Sequence, residues 1–401
     1  MSTHLAGPPA RRLWLALPLL VACGSSDSDS LGTTTNPAVG GASGTGGTTL
    51  TGGQAGQGAG GTAAASAGTT SAGTAGTGPS AGSTGGGAGG VAGASIQTPA
   101  PSSLVSRNEH TCARLADGRI TCWGYNVYGQ LGLGDTVDRG DAPGELGASL
   151  APISLGAGAT IAAVTTGFAH TCTLLTDGRV KCWGGSPFGA VGLDSIQLEG
   201  DEPGEVGGAL PAVDLGSDAR VVDIASGNNH VCAVFDTGQV KCWGHNQSGA
   251  LGLGDTNARG DEPGEMGDAL PFVDLGSGAR ATRLVAGSVH TCALLEGGQV
   301  KCWGCQTFGQ LGLGDIDPRG KGPGEMGDAL LFVDLGTGLA ATDIAAGYQH
   351  TCVRLTTGQV KCWGLNYHGE LGLGDTTERG RQPGQMGDGL PAVELSSAVA
   401  P

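Results

Sequence analysis

Charge and aromatic rings are both scarce in this chain. Charged residues make up 14% of its 401 positions and aromatic residues 4%. Between Asp29 and Arg107 there is no Asp, Glu, Lys or Arg at all. No apolar run reaches the ~20 residues that a membrane-crossing helix needs. No segment sustains a helical period, which argues against a helical bundle. A Ser-His-Asp order, a phosphate loop, paired catalytic carboxylates and a metal triad are all missing, so the chain is expected not to be an enzyme. Positive charge is in deficit, with 20 Lys and Arg against 36 Asp and Glu and a net charge of −16. Arg11 and Arg12 cancel Asp27 and Asp29, so the whole excess falls in residues 101–401. An acidic domain repels phosphate, which argues against nucleic acid as a partner. What abounds is glycine, 80 residues, without a Gly-X-Y period. Such a composition means either a disordered tract or a turn-rich β fold, and here the two fall in separate places.

Residues 1–22 read as an export signal. Arg11-Arg12 is followed by a short apolar stretch, Leu13 to Ala22, and then by Cys23-Gly24-Ser25-Ser26. Leu20-Val21-Ala22-Cys23 resembles the bacterial lipobox, in which the Cys thiol is diacylated and becomes the mature N-terminus. Cys23 is therefore the expected lipid anchor, and acyl chains attach a protein to a membrane without a spanning helix. Gly24 rather than Asp after the Cys resembles Gram-negative lipoproteins of the outer membrane, which implies a bacterial cell envelope location. Residues 23–100, rich in Gly, Ala, Ser and Thr, cannot bury enough apolar surface to offset chain entropy and are expected to be a disordered tether.

Residues 101–401 are an internal repeat without a gap. His110, His170, His230, His290 and His350 stand sixty residues apart, as do Trp123, Trp183, Trp243, Trp303 and Trp363. This gives five units, 101–160, 161–220, 221–280, 281–340 and 341–401. Short β-type runs between Gly-rich turns, repeated at this period, predict an all-β repeat fold whose units stack on one another, each Trp lying between neighbours. The pattern Gly-x-x-His-Thr-Cys-x-x-Leu-x-x-Gly-x-Val-x-Cys-Trp-Gly, followed by Gly-Gln-Leu-Gly, resembles the RCC1 (regulator of chromosome condensation) repeat over the whole segment. The resemblance implies a β-propeller, here of five blades. Pairing of Leu104-Val105-Ser106 with Val393-Glu394-Leu395 within one blade would close the ring. Two units depart from the pattern. Arg107 replaces the Gly of the other units, and Val191-Gly192-Leu193-Asp194-Ser195 stands where the others read Leu-Gly-Leu-Gly-Asp. The sequence alone gives no reason for the second departure.

Ten cysteines form five Cys-x9-Cys pairs. A three-residue hairpin loop with Gly118 left-handed pairs residue 115 with 119, and counting outward sets Cys112 opposite Cys122. Five disulfides are expected within blades: Cys112–Cys122, Cys172–Cys182, Cys232–Cys242, Cys292–Cys302 and Cys352–Cys362. The competing reading, zinc held by His-x-Cys and the second Cys, lacks a fourth ligand. Cys305 is left over and is expected to be a free or intermolecularly paired thiol. No cofactor is expected. The acidic loops, Asp255 with Asp261 and Glu265 among them, could instead hold Ca²⁺. Arg139-Gly140-Asp141 and Arg259-Gly260-Asp261 read as a repeated turn rather than an integrin motif.

Two windows vary between units while most other positions recur. One holds residues 108–109 and their equivalents, the other residues 125–128 and theirs. The hairpin register places both at one end of each blade. Tyr125, Tyr128, Phe168, Phe188, His245, Phe308, Tyr348, Tyr367 and His368 gather there as a candidate face for binding a protein or a glycan. The expected function is a non-catalytic binding module, monomeric and membrane-anchored through its lipid. The alternatives are an inhibitor of an extracellular enzyme, as an exported member of the resembled family inhibits β-lactamases, and a hydrolase or lyase centred in the channel.

Overall fold

The computed structural model describes residues 101–216 and 220–395. The export signal, Cys23 and the tether of residues 23–100 lie outside the described residues. Each unit forms one three-stranded antiparallel sheet. The strands are β1 (Pro101–Arg107), β2 (His110–Leu115) and β3 (Ile120–Gly124); β4 (Ile161–Thr166), β5 (His170–Leu175) and β6 (Val180–Gly184); β7 (Val221–Ser226), β8 (His230–Phe235) and β9 (Val240–Gly244); β10 (Ala281–Ala286), β11 (His290–Leu295) and β12 (Val300–Gly304); and β13 (Ala341–Ala346), β14 (His350–Leu355) and β15 (Val360–Gly364). A fourth, outermost segment is reduced to a single ladder bond, such as Val273 N–H to the Val240 carbonyl at 2.8 Å.

The hairpin loop fixes the register. Gly118 has φ +81°, a conformation that costs glycine little and other residues more, and its equivalents at 178, 238, 298 and 358 share it. Leu115 N–H bonds the Arg119 carbonyl at 2.7 Å. From there Arg114 faces Ile120, Ala113 faces Thr121 and Cys112 faces Cys122. All five Cys pairs stand at disulfide distance, with sulfurs 2.07–2.13 Å apart and Cα atoms 4.1 Å apart. Cys305 is buried and is not a free thiol, so of the expectation there, free or intermolecularly paired, the free half is corrected.

The core lies between blades, in four clusters for five units. Trp183, Trp243, Trp303 and Trp363, each with zero exposure, fill the seams between successive units. A Cβ on Gly132 would lie 2.6 Å from Trp183 Nε1, so the ring packs flat on a bare backbone. Trp183 donates its indole N–H to the Gln130 carbonyl at 3.0 Å, and Thr171 Oγ1 donates to the same oxygen at 2.9 Å. His110 Nε2 in turn meets Thr171 Oγ1 at 2.9 Å. The same His–Thr–carbonyl–Trp chain joins the third unit to the fourth and the fourth to the fifth.

A fifth seam, from the last unit to the first, is not formed among the described residues. Trp123 is partly exposed. Gly372, which should abut a following Trp, meets only Val393, and nothing lies within 4 Å of a Cβ at Gly369 or Gly374. The ring closure expected from pairing of the chain ends is therefore corrected. β1 pairs with β2, and Val393 N–H bonds Val360 at 2.8 Å, each within its own unit. Every unit supplies all of its own strands, so none is left to be shared.

Candidate functional site

The two variable windows meet in every unit. Tyr125 N–H bonds the Glu109 carbonyl at 2.9 Å, and the same bond recurs from Gly185 to Ala169, His245 to Asn229, Cys305 to Val289 and Leu365 to Gln349. The first window runs from unit to unit as a backbone ladder. Phe168 N–H bonds Asn228, Asn228 N–H bonds Ser288 and Ser288 N–H bonds Tyr348, at 2.7–3.1 Å. Unit one leaves this ladder. Asn108 sits at φ +53°, which Asn tolerates better than most residues, and its side chain donates instead to Asn228 Oδ1 at 3.4 Å. Beside it, Arg107 replaces glycine and reaches the Ala286 carbonyl of the fourth unit.

The second window stacks across seams. Phe188 and His245 lie 4.4 Å apart between units two and three. Phe308 and Tyr367 lie 5.8 Å apart between units four and five. Tyr125 and Tyr128 meet edge-to-face within unit one at 6.1 Å. Stacking explains why Tyr125, Tyr128, Phe188, His245 and Phe308 are only partly exposed, and Phe168 is partly exposed as well. Tyr348, Tyr367 and His368 are exposed, the two tyrosines by 44% and 59%. The chemistry of this end is that of neutral rings ringed by carboxylates. Partial burial, then Tyr128 and the Glu109 and Asp138 charges, hold the Tyr125 phenol above its ordinary range. Burial and Glu378 do the same for Tyr367. Burial holds the His245 imidazole below its ordinary range.

One position inside the second window belongs to the scaffold. Asn126, Ser186, Asn246, Gln306 and Asn366 are buried. Asn126 Oδ1 accepts Leu131 N–H at 2.9 Å, and its amide donates to the Asp135 and Val137 carbonyls at 2.8 and 3.0 Å, closing the loop between them. Variation there is between side chains that can cap the same loop. The buried lysines, which sequence reasoning passed over, are scaffold as well. Lys241 Nζ donates to the Leu215 carbonyl of the preceding unit at 3.0 Å and to Gly267 of its own at 2.8 Å. Lys181, Lys301 and Lys361 do likewise. Their one signal in the sequence is a lone cation on an otherwise apolar strand.

The competing ligand readings meet groups already engaged. Asp255 pairs with Arg259 at 2.6 Å, and Glu265 Oε2 accepts the N–H groups of Gly260, Asp261 and Glu262 at 2.9–3.2 Å. Arg139 is held the same way on Asp135, which accounts for the Arg-Gly-Asp turns. Among the described residues no group of three or more His, Cys, Asp or Glu is arranged to hold a metal.

Unit two explains its own departure. Asp194 stands at φ +54°, where its counterparts are glycine, and its carboxylate accepts Gly264 N–H at 2.8 Å and Met266 N–H at 3.2 Å from the third unit. The Asp–Arg pair of the other units becomes Ser195 and Glu199, so the ion pair is lost and a carboxylate stands where the arginine was. The second seam thus trades an ion pair within a unit for a clamp between units.

Blades of this construction, stacked edge to edge with one Trp per seam, define a repeat propeller. The Regulator of chromosome condensation (RCC1) repeat model matches residues 108–130, 161–190, 221–250, 281–310 and 341–370, one match in each unit, and a second model of the same description matches 297–354. The chain belongs to the RCC1-repeat proteins. It is 32% identical over 284 residues to the Ultraviolet-B receptor UVR8 of Arabidopsis thaliana, covering 69% of this chain and 56% of the receptor. It thus spans about half the length of that relative. Among solved structures, human WBSCR16 is similar with a TM-score of 0.53 at 18% identity, covering 73% of this chain and 67% of that one. Prp20p of Saccharomyces cerevisiae is similar with a TM-score of 0.50 at 21% identity, covering 74% and 65%.

Proposed function

We propose that the chain is a non-catalytic binding module that captures a protein or a glycan on the blade end where its two variable windows meet. The observation that carries this reading is the convergence of residues that differ between units, while the seams and hairpins beneath them repeat. Tyrosine and phenylalanine edges beside carboxylates suit a partner that offers apolar groups and hydrogen-bond donors. Prp20p, similar in fold, is described with binding properties to Gsp1p and histones, and that precedent for a propeller face is general rather than specific. The seam imidazoles support a non-catalytic role, since His110, His230 and His290 are turned to threonines of the next unit.

In the same reading the module is carried on a tether from a lipid at Cys23, in the outer membrane of a bacterial envelope. This part rests on Arg11-Arg12, the apolar stretch and Leu20-Val21-Ala22-Cys23 alone. Replacing Tyr125, Tyr128, Tyr348 and Tyr367 together by Ala tests the face: specific proteins or glycans retained from envelope extracts should fall at least tenfold. Unchanged retention would reject it. Detergent phase partition of the full chain against Cys23→Ser tests the anchor, and equal partition would reject that.

A further inference from the structure

The five blade disulfides share one register but not one environment. Thiol–disulfide exchange needs a thiolate to reach a sulfur, so access decides which bridge reacts. In the first four blades both cysteines have zero exposure. What covers them comes from the following unit. Thr171 Oγ1 lies 4.0 Å from Cys112 Sγ, Thr291 Oγ1 lies 3.9 Å from Cys232 Sγ and Thr351 Oγ1 lies 3.8 Å from Cys292 Sγ. Over Cys172 the equivalent residue is Val231, itself fully buried in the same cluster. The fifth blade has no following unit among the described residues. Cys352 is partly exposed there and Cys362 is 4% exposed.

We propose that Cys352–Cys362 is the thiol-exchange site of this protein, opened by a small dithiol reductant while the other four blade bridges stay closed. The reductant's thiolate attacks Sγ of Cys352, the more exposed residue of the pair. A mixed disulfide forms between reductant and Cys352, and Cys362 leaves as a thiolate. The second thiol of the reductant then attacks its own bound sulfur and closes it into a ring disulfide, releasing Cys352. Two electrons and two protons pass from the dithiol to the cysteine pair. The hairpin stays paired through the backbone register of β14 with β15. The product is therefore a folded protein with two thiols on a blade face that no following unit covers among the described residues, a place for thiol-directed attachment or redox control.

The test is limited reduction of the native full chain with dithiothreitol, quenching with iodoacetamide and peptide mass mapping over time. Cys352 and Cys362 should be labelled at least tenfold faster than every other cysteine, Cys305 included. The Cys352→Ser/Cys362→Ser double variant should lose the fast phase and keep the slow one. Uniform labelling, a fast phase on any other cysteine, resistance of all five bridges, or a fast phase that survives in the double variant would each overturn the assignment.

Discussion

The four interior seams and the two end faces are built from the same residues, yet only the seams are finished. In three of the four seams histidine, threonine, a carbonyl and tryptophan form one buried chain, the second having Val231 in place of the threonine, and in each a Gly-flat surface receives the ring. At the ends, among the described residues, Trp123 is left partly exposed and Gly372 meets Val393 rather than a ring. A repeat sequence therefore does not imply a repeat environment, because each unit's core is half owned by its neighbour.

The largest expected difference between seam and end appears in acid. Burial first, with nearby charges second, lowers His170 and His290 to about 3, and burial lowers His110 to about 4. An unfolded chain protonates its histidines near 6.5, so the folded state binds fewer protons below that pH. Stability is full above about pH 6.5 and is lost progressively as pH falls toward 3. Each histidine held near 3 withdraws on the order of 5 kcal/mol once the pH lies below both values. Urea midpoints measured from pH 8 to pH 5 should be flat and then decline, and His170→Gln should flatten the decline. Constant midpoints throughout would contradict the neutral seam.

Tryptophan deletion sharpens the same contrast at neutral pH. Trp243→Ala should cost about 3–5 kcal/mol, as expected for a large buried ring. Trp123→Ala, at the end face, should cost less than about 2 kcal/mol. Equal losses in equilibrium denaturation would show that the end faces are covered in solution.

The hairpins and the cysteine register were legible in the sequence because both are local. A Gly at the third loop position sets the strand pairing, and counting outward does the rest. The meeting of the two variable windows followed from the same count. Seam chemistry was not legible, because its acceptors are backbone carbonyls of another unit. Lys241 reads as a surface cation until the Leu215 and Gly267 oxygens are seen around it. Asp194 likewise reads as a defect until its carboxylate is seen to hold the third unit. Its two roles separate by mutation. Asp194→Ala keeps the strained φ and loses the clamp, and should cost about 1–2 kcal/mol. Asp194→Gly loses the clamp but relieves the strain, and should cost roughly 1 kcal/mol less. Equal thermal shifts for the two variants would refute this division.

The smallest change tests the seam rule in the direction of gain. His170 is buried with both ring nitrogens lacking a hydrogen-bond partner, and the residue facing it across the second seam is Val231 where every other unit has threonine. The Ala190 carbonyl there receives only the Trp243 N–H among the seam donors, at 3.1 Å, whereas Gln130, Ala250 and Gln310 each receive a threonine hydroxyl as well. Valine and threonine are nearly the same size, so Val231→Thr brings a hydroxyl into a slot shaped for one. It should donate to Ala190 and accept from His170, satisfying a buried nitrogen and adding a bond. The expected gain is about 1 kcal/mol, net of the cost of burying the hydroxyl. The reverse change, Thr291→Val, should strip the equivalent chain from the third seam and cost a similar amount. If Val231→Thr destabilises while Thr291→Val also destabilises, the second seam has been repacked around its valine, and the four seams do not obey one rule.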